Sequence, residues 1–363
     1  MSNLHYIIPI FVPHEGCPHE CVFCNQNSIT GTKVKVDAMY VEKTINEYLK
    51  TIKSKDAVIE VSFFGGTFTA IKMEKQIELL TVAKKFKDNN KIKFIRLSTR
   101  PDYIDDNILL NLRKYSVDII ELGVQSLDAK VLLKSGRGHT SRDVELAAKL
   151  IKQYGFTLGL QIMIGLPSDD INKDIETAKG VIALKPDNCR IYPALVIKDT
   201  PMESMYIKGT FVPYTLSEAV NISKIIYIMM TLSGINVIRM GLQPTKEISK
   251  GNDLVAGPFH PAFRELVEGS IYNDLLYYVI INNIKSNTTA NKVLVKINPK
   301  DISKLYANGK IYFNDMKKQI STIYIEVSQD ISIELGSIAV CLGSECIIMT
   351  IYEYASIKYS EGF

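Results

Sequence analysis

Three cysteines crowd into one short stretch, Cys17-Pro-His-Glu-Cys21-Val-Phe-Cys24, with C-x3-C-x2-C spacing. Three thiolates on one tight loop can hold three irons of a [4Fe–4S] cube and leave the fourth iron open to an outside ligand. An open iron serves chemistry or substrate binding, whereas a cluster that only carries electrons normally takes a fourth cysteine. Cys189, Cys341 and Cys346 are far away in sequence. Two other readings stand beside the cluster. One is zinc held by these cysteines with His14 or His19, although zinc cysteines usually come in separated pairs. The other is a set of inert thiols, which the polar loop after a strand argues against. Cys341 and Cys346, spaced C-x4-C with no further thiol nearby, read as buried free thiols.

The elements that would position this loop follow from hydrophobic patterning. Tyr6–Val12, Val58–Phe64, Ile92–Thr99, Asp118–Gly123, Thr157–Ile164 and Cys189–Tyr192 are short apolar runs of the kind buried parallel strands show. Helical patterns lie between and after them at Val41–Lys53, Lys75–Lys87, Asp105–Lys114, Ser141–Tyr154, Asp170–Leu184 and Thr215–Ser233. Ser141 with Glu145 marks a capped amphipathic helix. The alternation predicts an α/β fold of βαβ units, with fewer units than the eight of a closed barrel, hence an open partial barrel or a doubly wound sheet. Gly and Pro punctuation follows the strands at Gly65-Gly66, Arg100-Pro101-Asp102, Gly165-Leu166-Pro167 and Tyr192-Pro193. Ligand sites of parallel α/β folds lie at the carboxyl ends of strands, so this punctuation marks the functional face. Beyond about residue 290 the strand-like runs Val293–Ile297, Thr322–Val327 and Ile347–Tyr352 lack long helices, and Ser286–Lys292 reads as a linker.

The cysteine loop resembles the hallmark of radical S-adenosylmethionine (SAM) enzymes: C-x3-C-x2-C after the first strand, with the aromatic Phe23 before the last cysteine. More of the chain is similar to the Elongator catalytic subunit and its short bacterial relatives. The matching stretches are Phe63-Phe-Gly65-Gly66-Thr67, Ser98-Thr-Arg100-Pro-Asp102, Glu121-Leu-Gly123-Val-Gln125-Ser126, Arg137-Gly-His139-Thr140 and Gln161-Ile-Met-Ile-Gly165-Leu-Pro167. The oxygen-independent coproporphyrinogen oxidases share parts of the pattern. A looser likeness continues through Gly257–Val267.

The resemblance implies a partial (β/α)6 TIM-type barrel over residues 1–240, an Elongator-like extension over 241–290 and a small α+β domain over 291–363. It implies a [4Fe–4S] cluster on Cys17, Cys21 and Cys24, with SAM chelating the open iron and being cleaved by one electron to a 5′-deoxyadenosyl radical. Gly65, Gly66 and Thr67 would then hold the methionyl amine, and Ser98 and Arg100 would reach the ribose and carboxylate. Gln125 would contact SAM or substrate, and Gly165 and Pro167 would shape the adenine pocket. Glu121 and Tyr192 are the candidate catalytic residues; a surface pairing of Arg100 with Asp102 and a structural Glu121 are the plainer alternatives. The departures are Asn25-Gln-Asn27 in place of the family's glycine–proline run, and a segment beyond Asn291 too short for the Elongator acetyltransferase domain. No acetyl-CoA-dependent activity is expected.

Composition bounds the partners. The 363 residues carry 46% hydrophobic and 23% charged residues and a formal net charge of +4. That balance permits nucleic-acid binding without arguing for it. No apolar run approaches the ~18 residues of a membrane span, and the N-terminus lacks the basic region of a signal peptide, so a cytoplasmic protein with no membrane partner is expected. The resemblance points to RNA, tRNA or rRNA, as substrate, with flavodoxin or ferredoxin as reductant. Radical chemistry on a porphyrinogen-like small molecule, on a peptide or on a protein, and a non-catalytic metal-binding regulatory module, are the competing readings. Scattered lysines, among them Lys33, Lys35, Lys84, Lys85 and Lys87, are read as solvated faces. Gly241–Val267 is a candidate cover for the open barrel side, with Arg239, Arg264, Lys292, Lys296 and Lys300 as a basic rim. Removing residues 290–363 is then expected to keep some cluster binding and abolish substrate modification.

Overall fold

The computed structural model describes residues 4–12, 17, 19–25, 36–54, 56–242, 253–284, 292–343 and 345–361. His14, Asn27, Lys33, Lys35, most of the expected linker and part of the expected cover lie outside them. Two compact units divide the chain. The first takes Met1–Thr215, Ile235–Ile238 and Leu242–Phe259; the second takes Leu216–Gly234, Arg239–Gly241 and His260–Phe363.

In the first unit strands and helices alternate: β1 (His5–Val12), α1 (Ala38–Thr51), β2 (Val58–Gly65), α2 (Met73–Asp88), β3 (Phe94–Thr99), α3 (Asp106–Lys114) and β4 (Ile119–Gln125). Then come α4 (Ala129–Lys134), α5 (Ser141–Gln153), β5 (Thr157–Ile164), α6 (Ile171–Ala183), β6 (Asn188–Pro193), β7 (Val196–Ile197) and α7 (Pro201–Ile207), and β7 pairs antiparallel with the later strand β9 (Leu254–Ala256). Capping residues fix where the helices start. The side chains of Asp37, Asp105, Asp128 and Asp170 each accept from a backbone N–H of the first turn. Helix α5 is capped one residue earlier than the sequence suggested: Thr140 and Asp143 form a reciprocal capping box.

The strands β1 to β6 pair in parallel in chain order, and the seven-stranded sheet is completed by β8 (Asn236–Met240) beside β6. The sheet is a curled half-barrel, as expected, with one strand more than the six foreseen. The register sorts the side chains. Ile8, Ile10, Val61, Phe63, Ile95, Leu97, Ile120, Leu122, Leu158, Leu160 and Ile191 are fully buried on the helix-covered face. The alternate positions put Glu60, Ser62, Arg96, Ser98, Glu121, Gln161 and Arg190 on the other face. The runs that read as uniformly apolar thus carry a polar inner face.

The second unit is built on α8 (Leu216–Leu232) and α9 (Phe263–Ile284). The stretch expected as a separate extension contributes α9 to this unit. Its sheet runs in the order β11 (Tyr324–Gln329), β10 (Lys292–Ile297), β12 (Ser337–Leu342), β13 (Glu345–Thr350). The small helices α10 (Ile302–Leu305) and α11 (Ile311–Gln319) precede β11, and α12 (Ile351–Glu361) follows β13. Cys341 and Cys346 form a disulfide, which corrects the expectation of free thiols. The antiparallel register of β12 and β13 sets these two residues directly opposite each other. Among the described residues no helix is long and apolar enough to cross a membrane.

Candidate functional site

The cysteine loop is anchored by its apolar members. Val22 and Phe23 pack against the buried cluster of Val131, Leu166, Met202 and Phe211. The Val22 amide donates to the Ser135 carbonyl at 3.1 Å, and the Met202 amide donates to the Val22 carbonyl at 2.9 Å. Cys21 is buried, whereas Cys17 and Cys24 are half-buried, and the Cys24 amide donates to the Cys21 carbonyl at 3.0 Å. The segment Ser135–His139 lies flush on this loop. Gly138 has φ +73°, and a Cβ there would stand 2.4 Å from the His19 ring. No side chain fits.

The strand ends bring most of the remaining candidates to the same edge of the sheet. Gly65 ends β2 with φ +110°, and a Cβ on it would meet the Val12 carbonyl oxygen at 2.8 Å. The Gly66 amide donates to that oxygen at 2.9 Å. Thr67 is buried. Arg100, at the end of β3, is 3% exposed, so the pairing with Asp102 considered from sequence is made by a buried guanidinium rather than on the surface. Its guanidinium donates through Nε and Nη2 to the Asp102 carboxylate at 2.9 and 2.8 Å and also to the Arg137 carbonyl. Gln125 closes β4 with φ +65° and accepts from Gln161 Nε2 at 3.3 Å. At the end of β5, the Tyr214 ring lies against Gly165, and its hydroxyl donates to buried Asp174 at 3.0 Å. Burial raises the Asp174 carboxyl above the ordinary range, and the neighbouring Asp169 adds to the shift.

Glu121 stands on the inner face in a chain of buried charge. Arg96 Nε donates to Glu60 at 2.6 Å, and Arg96 Nη1 lies 3.6 Å from Glu121. Arg190 Nε donates to Glu121, Ser98 Oγ donates to Glu121 at 3.2 Å, and Arg190 Nη1 donates to the Tyr192 hydroxyl at 3.3 Å. Arg190 also stacks over the Phe64 ring. Burial pushes the Glu60 carboxyl up, but Arg96, Ser62 and His5 outweigh it and leave it below the ordinary value. Both oxygens of Glu121 are engaged. The sequence reading missed Glu60 and Arg96; the signal available was a charge at alternate positions inside apolar runs.

His139 is buried and its Nε2 faces the Val124 carbonyl at 3.2 Å. Burial first, then the Arg137 and Arg100 charges, lower its pKa to about 3. An unfolded histidine titrates near ~6.5. Above that pH neither state is protonated, and the residue makes no pH-dependent difference. As pH falls from there toward 3 the unfolded chain takes up a proton the folded one refuses, so stability drops by up to about 1.4 kcal/mol per unit. Urea unfolding at pH 7 and pH 5 should show this slope, and His139→Gln should flatten it. An unchanged slope in the variant would show that other groups carry the dependence. Cys189 is inert by the same logic: burial pushes its thiol up to about 12.

The residues present fit an iron–sulfur cube and an amino-acid-bearing ligand. Among the described residues no three His, Cys, Asp or Glu side chains close around one point. A cube asks for less, since each thiolate takes its own iron. Arg100 Nη1 is buried without a hydrogen-bond partner among the described residues, a donor that an incoming carboxylate would satisfy. Comparison with known proteins agrees. Residues 11–179 match the Radical SAM superfamily model and residues 186–273 the Radical_SAM C-terminal domain. The tRNA uridine(34) acetyltransferase of Methanocaldococcus jannaschii is 27% identical over 255 residues, 60% of this chain and 47% of that protein. Human Elongator complex protein 3 is 26% identical over 265 residues, 61% of this chain and 48% of that one. The chain thus spans about half the length of these relatives. The archaeal Elp3 of Methanocaldococcus infernus shares the fold, with TM-score 0.61 and 23% identity over 76% of this chain and 64% of that one. With the cysteine loop at the strand ends of a curled parallel sheet and both domain models in register along it, the chain belongs to the radical SAM superfamily, whose cofactors are a [4Fe–4S] cluster and SAM.

Proposed function

We propose that this chain cleaves SAM reductively and directs the resulting radical at RNA, with tRNA as the first candidate. When bound, the cluster and SAM supply a 5′-deoxyadenosyl radical from one electron and one SAM. The observation that carries the reading is the three-cysteine loop fastened to the Ser135–His139 segment beside the ends of β2 to β5. Cys17, Cys21 and Cys24 hold the cluster. Gly65, Gly66 and Thr67 receive the methionyl amine; Arg100, with Ser98 behind it, receives the carboxylate and ribose side; Gln125 borders the SAM site; Gly165 and Pro167 border the adenine. Glu121 fixes Arg190 and Ser98, and Tyr192 presents a half-buried phenol toward the substrate. The tRNA-acting relative favours RNA over a porphyrinogen-like molecule or a peptide. We assign the reaction to the cytoplasm, with flavodoxin or ferredoxin as electron donor.

The test has two arms. Anaerobically reconstituted protein with dithionite or reduced flavodoxin should convert SAM to 5′-deoxyadenosine. RNA nucleosides from cells with and without the protein should differ by mass spectrometry in one modified species. SAM cleavage with identical nucleoside profiles would overturn the RNA half alone. A stoichiometric zinc without iron–sulfur absorption would overturn both.

A further inference from the structure

Arg137 is the charged residue set between the two glycines that press on the cysteine loop. Its Nη1 donates to Cys21 Sγ at 3.3 Å, and its Nη2 donates to the Gly123 carbonyl at 2.6 Å. Its own carbonyl is gripped by Arg100. Arg137 is 5% exposed, as buried as the cysteine it meets. Gly136 and Gly138 both have positive φ, which brings the backbone on either side close to Glu20 and His19. The guanidinium therefore has a fixed aim: it is held at two places, the Cys21 sulfur and the Gly123 carbonyl, while Arg100 fixes the backbone it springs from. Cys21 is buried and Cys17 and Cys24 are half-buried, so the three thiols are not equivalent.

We propose that Arg137 is a positioning residue that sets the reduction potential of the cluster through its bond to the Cys21 sulfur. The inference rests on the assignment of Cys21 as a ligand. A guanidinium cannot lose its proton at any working pH, so it brings a fixed positive charge and a fixed donor. Reduction adds one electron, taken from a low-potential one-electron donor that is itself oxidised. The added negative charge spreads onto the thiolate sulfurs. A buried cation donating to one of them stabilises the reduced form more than the oxidised form, because little water is present to screen it. Partners of this kind, one bond beyond the ligands, tune metal sites. Arg137 thereby makes the reduced form easier to reach in an enzyme that needs a strongly reducing electron.

The experiment uses the full chain, reconstituted anaerobically, with iron and sulfide content measured first. Wild type without about four irons per chain would fail the cofactor reading itself, separately from this proposal. EPR-monitored redox titration without SAM then compares wild type, Arg137→Lys and Arg137→Gln. Arg137→Gln should lower the equilibrium constant for one-electron reduction roughly tenfold, a fall of about 59 mV. Arg137→Lys keeps the charge but not the fork, and should fall between. A Gln variant with wild-type potential overturns the proposal, including one that has lost SAM affinity, since the guanidinium would then serve SAM and not the sulfur. Should the variants hold no iron, the wild type decides. Protein labelled with 15N in the arginine guanidinium should show nitrogen hyperfine coupling to the reduced cluster, and its absence overturns the proposal.

Discussion

Cys21→Ala should purify and reconstitute with iron near background, against about four irons per chain for the wild type, while keeping its far-UV circular dichroism. The loop is held by Val22 and Phe23, which pack against Met202 and Phe211, and by backbone bonds to Ser135 and Met202. None of these uses the sulfur. The strands beneath keep their register and their apolar face. A cube left with two thiolates has lost one of three anchors, and the guanidinium of Arg137 has lost its acceptor. Cys17→Ala and Cys24→Ala should behave alike. Cys189→Ala is the control: its thiol sits within β6, fully buried, and should leave the iron content unchanged. Four irons retained in Cys21→Ala would mean that another thiol ligates and that the loop has been misread.

How much of this was legible in the sequence depends on which contacts carry it. The cysteine loop and the strand-end glycines are local patterns, and the strands β1 to β6 are long enough to show as apolar runs. The inner-face charges were not visible as a network, because Glu60, Arg96, Glu121 and Arg190 meet only through the lateral register of β2, β3, β4 and β6. The seventh strand, β8, was not foreseen: only Ser233, Gly234 and Ile235 separate it from α8, which is itself largely apolar. Helix α9 escaped for a different reason. It is apolar on most sides, with Leu266, Val267, Ile271, Leu275, Leu276, Val279 and Ile280 all buried, and so shows little of the one-faced periodicity that marks a surface helix. The Cys341–Cys346 pairing required knowing that β12 and β13 form a hairpin, and β12 itself was not foreseen.

Removing residues 291–363 should yield no folded truncated chain, which reverses the expectation that the tail is a separable recognition module. Within the second unit α9 packs against α8, α10, α11, α12 and the strands β12 and β13. Of these, only α8 lies before the cut. Fully burying a single Leu, Ile or Val side chain contributes ~1.5–3 kcal/mol. Uncovering even half of the α9 face, together with the loss of the cores around Val295 and Val340, costs on the order of 5–10 kcal/mol on that scale. A whole domain is stable by only about 5–15 kcal/mol. Expression of residues 1–290 beside the full chain should therefore give aggregated protein, or protein that limited proteolysis degrades through 263–284. Val295→Asp in the full chain probes the same core without a cut, because Val295 is fully buried, and should lower the melting temperature by many degrees. A monomeric 1–290 chain with a cooperative melt would show that α9 finds its cover elsewhere.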